Sequence, residues 1–298
     1  MEWHETRQFL SPCFPEPLQR ELDMLLPGEL REIRLRANRP CVFVTGTRTA
    51  VLDWQPTQMQ LEALAEALSE HSLYARSDET SQGFITLRGG HRMGLCGSVL
   101  QRGSVRRLKD LGSVCIRIAC QWPGAADAVI ARTSTLAQPA GVLIIGPPGS
   151  GKTTILRDLA RQLSGMKPMR QTALIDERGE LSAPLNGVPQ LDVGASTDVL
   201  DGLNKQDACS WLIRSMSPEV IITDELTSAA DAQSVLDARG CGVAVCASVH
   251  GRDLHAAAKR PFIADLMAKR AFDLYAVLSP EGGAQVTAMY DRSGSVLS

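Results

Sequence analysis

One stretch limits the fold more than any other: the run from Gly141 to Thr154, Gly-Val-Leu-Ile-Ile-Gly-Pro-Pro-Gly-Ser-Gly-Lys-Thr-Thr. Val142 to Ile145 is an unbroken apolar run, the pattern of a parallel strand covered on both faces. Gly146, Pro147, Pro148, Gly149, Ser150, Gly151, Lys152 and Thr153 then complete G-x-x-x-x-G-K-[ST]. Glycines let the backbone curl so that successive N–H groups point at phosphate oxygens. Lys152 reaches the β- and γ-phosphates, and the Thr153 hydroxyl suits Mg²⁺. A helix from Thr154 to Ser164 aims its positive end at the same phosphates. A nucleoside triphosphate with Mg²⁺ is the expected ligand.

The 298 residues are enough for two modest domains. Apolar residues make up 44% and charged residues 21%, ordinary for a chain that buries a core, and the net charge of −2 supplies no global field for nucleic acid or acidic lipid. No nucleic-acid partner is expected. Eight cysteines are scattered, mostly inside apolar runs and without a C-x-x-C pair, so reduced thiols are expected rather than zinc, in a cytoplasmic protein. No apolar run approaches the roughly 18 residues of a membrane span, so attachment to a membrane is expected to go through a partner.

In chain order, residues 1–29 contain an amphipathic helix from Pro17 to Leu26, stopped by Pro27-Gly28. Residues 30–121 read as an α+β domain. Its strands are Glu32 to Arg36, Cys41 to Val44, Ala50 to Leu52 and Val114 to Ile118, with a helix from Gln58 to Ser69 and a hairpin of Gly83 to Leu87 with Arg92 to Leu100. Arginines gather at its turns and strand ends (Arg88, Arg92, Arg102, Arg106, Arg107, Arg117), where a planar guanidinium suits a phosphate. A linker over 122–140 holds a helix-compatible run, Ala125 to Leu136. Residues 141–298 form an α/β domain with apolar runs at Val142 to Ile145, Thr172 to Ile175, Val220 to Thr223 and Val243 to Ala247, closed by short strands at the tail.

Ligands of such sheets bind at the carboxyl ends of strands. Val220 to Thr223 ends in Asp224 and Glu225, the carboxylate pair expected to hold Mg²⁺ through Asp224 and to polarise the attacking water through Glu225. Asp176 and Glu177 end the preceding run, and His250 follows the run that begins at Val243, placed to sense a γ-phosphate.

Several passages resemble one family, the stage III sporulation protein AA ATPases, themselves similar to the type II and type IV secretion ATPases. They are Glu32 to Arg36, Gly83 to Gly94, Cys115 to Ala119, Gly146 to Leu159, Asp176 to Arg178, Thr197 to Gly202, Leu212 to Glu225 and Ser248 to Gly251. The resemblance implies a RecA-like P-loop NTPase core of the ASCE type behind a smaller α+β domain. It implies ATP hydrolysis by a ring, a hexamer, docked on membrane channel proteins of a sporulation export complex on the mother-cell side. By position it places Glu177 in a carboxylate box, Glu225 in the second acidic motif and His250 in a histidine box. It offers Arg92, Arg117 and Arg214 as fingers on nucleotide. Two places depart from the family pattern. Gly194 to Asp198 lacks an arginine, and Leu226-Thr227-Ser228 replaces a glycine-containing continuation. A nucleotide-gated scaffold with little turnover is the second reading, and a small-molecule kinase is disfavoured by the lack of an acceptor-binding lid.

Overall fold

The computed structural model describes residues 3–73, 77–102, 105–134 and 138–297, the side chains at 77–78, 102 and 105–107 excepted. The chain divides into two compact units, residues 1–120 with 183–186, and residues 121–182 with 187–298.

The first unit contains α1 (Trp3–Leu10), α2 (Glu16–Met24), β1 (Leu30–Arg36), β2 (Arg39–Thr45), β3 (Thr49–Leu52), α3 (Gln58–Leu68), α4 (Ser77–Ser81), β4 (Phe84–Thr86), β5 (Arg92–Arg102) and β6 (Val105–Arg117). Its six strands form an antiparallel sheet in the order β3-β2-β1-β6-β5-β4. Alternation decides which face is dry: Ile33 and Leu35 of β1, Met93 of β5 and Ile116 of β6 pack with Leu10, Leu18, Leu22, Leu61 and Leu68 from the helices. Glu32 and Arg34 fall on the other face. The α3 helix starts on a capping box in which Thr57 and Gln60 satisfy each other's backbone N–H groups.

His91 is fully buried here, its Nδ1 accepting from the Ala119 N–H at 3.0 Å. The ring proton therefore sits on Nε2, which has no hydrogen-bond partner among the described residues. Burial lowers the imidazole to about 4. An unfolded histidine titrates near 6.5, so between roughly pH 6.5 and 4 the unfolded chain takes up a proton that the folded one refuses. Stability is therefore complete above that window and is lost as pH falls through it, by up to about 3 kcal/mol. Thermal midpoints measured from pH 7.5 to pH 4.5 are expected to fall more steeply for the wild type than for His91→Gln; equal slopes would refute the assignment.

The second unit contains α5 (Asp127–Thr133), β7 (Val142–Gly146), α6 (Lys152–Gly165), β8 (Thr172–Asp176), β9 (Thr197–Asp201), α7 (Lys205–Ser215), β10 (Val220–Glu225), α8 (Ala229–Gly240), β11 (Ala244–His250), α9 (Leu254–Ala258), α10 (Pro261–Ala268), β12 (Leu274–Leu278), β13 (Val286–Asp291) and β14 (Val296–Leu297). Its eight strands run in the order β14-β13-β12-β7-β11-β10-β8-β9. From β12 to β9 they are parallel, and β13 and β14 add an antiparallel edge. Successive residues of β7 feed opposite layers. Leu143 and Ile145 pack toward α7 to α10, and Val142 and Ile144 toward α5 and α6.

Differences from the sequence reading have local causes. The helix at 125–136 is only Asp127–Thr133, because Gly124 turns at φ 90° just before it; Leu136 lies outside the described residues. The phosphate-loop helix begins at Lys152 rather than Thr154. α1, β9 and the outer half of the β5–β6 hairpin were not anticipated. β9 is half-buried, pairs with β8 alone and contains two aspartates, so no apolar run announces it. Of the cysteines, Cys41, Cys209 and Cys246 are buried, whereas Cys96 and Cys241 are exposed. No helix of the described residues is long and apolar enough to cross a membrane.

Candidate functional site

The site assembles at the carboxyl ends of β7, β11, β10 and β8. Gly149 and Gly151 take φ values of 75° and 98°, in the left-handed region that favours glycine. Position 151 is closed to a side chain by space as well: a Cβ there would lie 2.7 Å from Ala284. The turn joining β12 to β13 presses on the loop at this point, with the Ala284 N–H donating to the Ser150 carbonyl at 3.1 Å. The Ser150 hydroxyl is buried and has no partner among the described residues. Thr153 and Thr154, in the first turn of α6, are half-buried.

The Lys152 ammonium curls back over its own loop. It donates to the carbonyls of Gly146 at 3.0 Å and Pro147 at 2.9 Å, and to His250 Nδ1 at 2.9 Å. An ammonium has donors only, so His250 accepts at Nδ1 and carries its proton on Nε2. That nitrogen donates to Glu225 Oε2 at 3.0 Å. A continuous chain of hydrogen bonds thus joins Lys152, His250 and Glu225. Burial lowers the Lys152 pKa, and Glu225 and Asp224 partly offset it. Arg260 donates to the His250 carbonyl and holds the end of β11 from behind.

Asp224, beside Glu225, accepts from the Ser248 hydroxyl at 3.4 Å. Burial raises its carboxyl above the ordinary value, the carboxylates of Glu180 and Asp176 add to that, and Lys205 opposes it. Buried oxygen donors held under mutual repulsion are what a hard divalent cation relieves.

The two residues that end β8 have separate surroundings. Asp176 accepts four hydrogen bonds, from the N–H groups of Glu180, Leu181 and Ser182 and from the Ser182 hydroxyl, at 2.7 to 3.0 Å, and so closes the loop that follows it. Arg157 of α6 holds that loop from its other side, donating to the Leu181 and Glu180 carbonyls at 2.5 and 2.7 Å. Glu177 pairs with Lys205 at 2.7 Å. Arg157, Lys205, Ser248 and Arg260 are additions the sequence reading missed. Arg157, inside the Gly146 to Leu159 passage, and Ser248, inside the Ser248 to Gly251 passage, carried a signal.

The three candidate arginines have other contacts and settings. Arg92 and Arg117 belong to the first unit, directly opposite each other on β5 and β6. The Arg92 guanidinium stacks 3.5 Å from the centroid of the Phe84 ring, and Arg117 pairs with Glu32 at 3.5 Å. Arg214 is exposed near the end of α7, which leads to the amino end of β10, the end of that strand away from Asp224. The side chains of Arg102, Arg106 and Arg107 lie outside the described residues.

The Leu226-Thr227-Ser228 departure from the family pattern has a structural role. Ser228 opens α8 with a capping box to Asp231, and Leu226 is buried with its N–H on the Ser248 carbonyl at 2.8 Å. Gly194 runs against α6 so closely that a Cβ would lie 1.7 Å from Ser164 Oγ.

A phosphate loop at the end of β7, an acidic pair at the end of β10 and the strand β11 inserted between them define a RecA-like P-loop NTPase fold of the ASCE type, joined to an α+β domain. Among solved structures, the Legionella pneumophila ATPase DotB is similar with a TM-score of 0.55 at 15% identity, covering 83% of this chain and 72% of DotB. The pilus retraction motor PilT with bound ADP is similar with a TM-score of 0.54 at 15% identity, covering 83% of this chain and 74% of PilT. The family model described as "Sporulation stage III, protein AA" matches residues 7–297, and the chain belongs to that family. Stage III sporulation protein AA of Bacillus subtilis (strain 168) is 41% identical over 278 residues, covering 91% of this chain and 89% of that protein.

Proposed function

We propose that the second unit binds ATP with Mg²⁺ and hydrolyses it to ADP and phosphate. In this reading the whole chain works as a secretion-type motor in a homo-oligomeric ring, a hexamer, attached to membrane channel proteins of a sporulation export complex on the mother-cell side. The observation that carries this reading is the hydrogen-bonded chain Lys152–His250–Glu225, which ties the phosphate loop to the carboxylate beside Asp224.

The backbone N–H groups of Gly149, Gly151 and Lys152 bind the phosphates, Pro147 and Pro148 having none to give, and the Lys152 ammonium turns from the loop carbonyls to the β- and γ-oxygens. Thr153 and Asp224 hold Mg²⁺, which when bound neutralises phosphate charge. Glu225 accepts the proton of the attacking water. His250, linked to both Lys152 and Glu225, relays the arrival of a γ-phosphate to the general base. Glu177 is held against Lys205 at the rim. Arg92, Arg117 and Arg214 are the candidates to reach the nucleotide of a neighbouring subunit.

Steady-state phosphate release by the purified chain, with and without Mg²⁺, tests the reading together with size measurement in ATP. Mg²⁺-dependent release accompanied by growth in size is expected. Assembly without release would favour the nucleotide-gated scaffold, and neither response would end both readings.

A further inference from the structure

The amino ends of β7, β11 and β12, opposite the phosphate loop, border a second space. A groove of about 390 Å³ is lined by Gln138, Arg239, Asp273, Arg292 and residues 242–244 among others. Asp273, the residue before β12, accepts from the Gly141 N–H at 2.8 Å, from Arg239 at 3.3 Å and from Arg292. These bonds lock the start of β12 to the start of β7, which accounts for the carboxylate. They do not account for two guanidiniums. The same partners, working against burial, hold the Asp273 carboxyl below its ordinary range, so it stays ionised at neutral pH. One negative charge against two positive charges leaves the groove at +1.

Each guanidinium has five N–H donors, and each spends one on Asp273. The Arg239 and Arg292 side chains are 28% and 50% exposed, so donors remain available to the groove. We propose that this groove is a docking site for an acidic side chain of a protein partner, whose carboxylate bridges Arg239 and Arg292. A single carboxylate matches the surplus charge and the forked guanidinium geometry. A phosphate dianion would overshoot the surplus beside Asp273. Gly242, Val243 and Ala244 flank the groove and give a peptide a wall to lie along.

The proposal does not depend on nucleotide hydrolysis, because the groove and the phosphate loop lie at opposite ends of the same strands. The test is calorimetric titration of the full chain at low ionic strength with capped hexaglutamate, capped hexaglutamine and inorganic phosphate. Hexaglutamate is expected to bind in a salt-sensitive way, with hexaglutamine showing no comparable affinity, and phosphate none in Lys152→Ala, where the phosphate loop has lost its ammonium. Arg292→Gln, at the more exposed of the two arginines, is expected to weaken hexaglutamate about tenfold with only a small fall in thermal midpoint, because Gly141 and Arg239 still hold Asp273. Lys152→Ala is expected to leave hexaglutamate binding as in the wild type. The proposal is overturned if Arg292→Gln binds hexaglutamate as tightly as the wild type, which would move the contact to other arginines. It is equally overturned if phosphate binds Lys152→Ala, whose phosphate loop has lost its ammonium, as well as the peptide does, or if nothing binds.

Discussion

Replacing Glu225 by glutamine is expected to lower phosphate release by roughly 10²- to 10⁴-fold while nucleotide binding persists. The reason is confined to one proton. Glutamine has the shape of glutamate, and its carbonyl still accepts the His250 Nε2–H that Glu225 accepts at 3.0 Å, so the chain back to Lys152 survives. An amide does not accept a proton from water at neutral pH, so the general base is lost without a change in packing. Paired measurements of turnover and of nucleotide dissociation constant check this. Turnover within a few-fold of the wild type would remove Glu225 from the role of base.

The second large effect is expected at the other end of the same chain. Lys152→Ala removes the cation that the phosphate loop itself supplies, and a loss of about 10²- to 10³-fold in nucleotide affinity or turnover is expected, the scale seen when one preorganised donor is taken from a charged transition state. It also strips the donor from the Gly146 and Pro147 carbonyls and from His250 Nδ1. With nothing donating to Nδ1, the imidazole is free to change tautomer, and its hold on Glu225 weakens. Lys152→Ala is therefore expected to alter the ¹⁵N shifts of His250 even without nucleotide, and Glu225→Gln to alter them less. An unchanged imidazole spectrum in Lys152→Ala would break the proposed relay.

What could be read from the sequence was what is local in the chain. The strand, loop and helix around Gly146 to Lys152 lie within one short stretch, and the Asp224-Glu225 pair ends an apolar run that a doubly covered strand demands. β9 was not legible because an edge strand buries little and needs no apolar run. Nor was the contact between Lys152 and His250, 98 residues apart, since nothing near either residue encodes the strand order that brings β11 beside β7. The replacement at Leu226 to Ser228 looked like a loss when compared with the family pattern. In the fold it is a buried anchor followed by a helix cap.

The turn between β12 and β13 gives the antiparallel margin of the sheet a part in chemistry that it never touches. Ala284 abuts Gly151 and hydrogen-bonds Ser150, so the loop's curvature is moulded from outside as well as by its own glycines. A substitution that lengthens or stiffens this hairpin would reshape the phosphate cradle from a distance, with every residue of the motif intact.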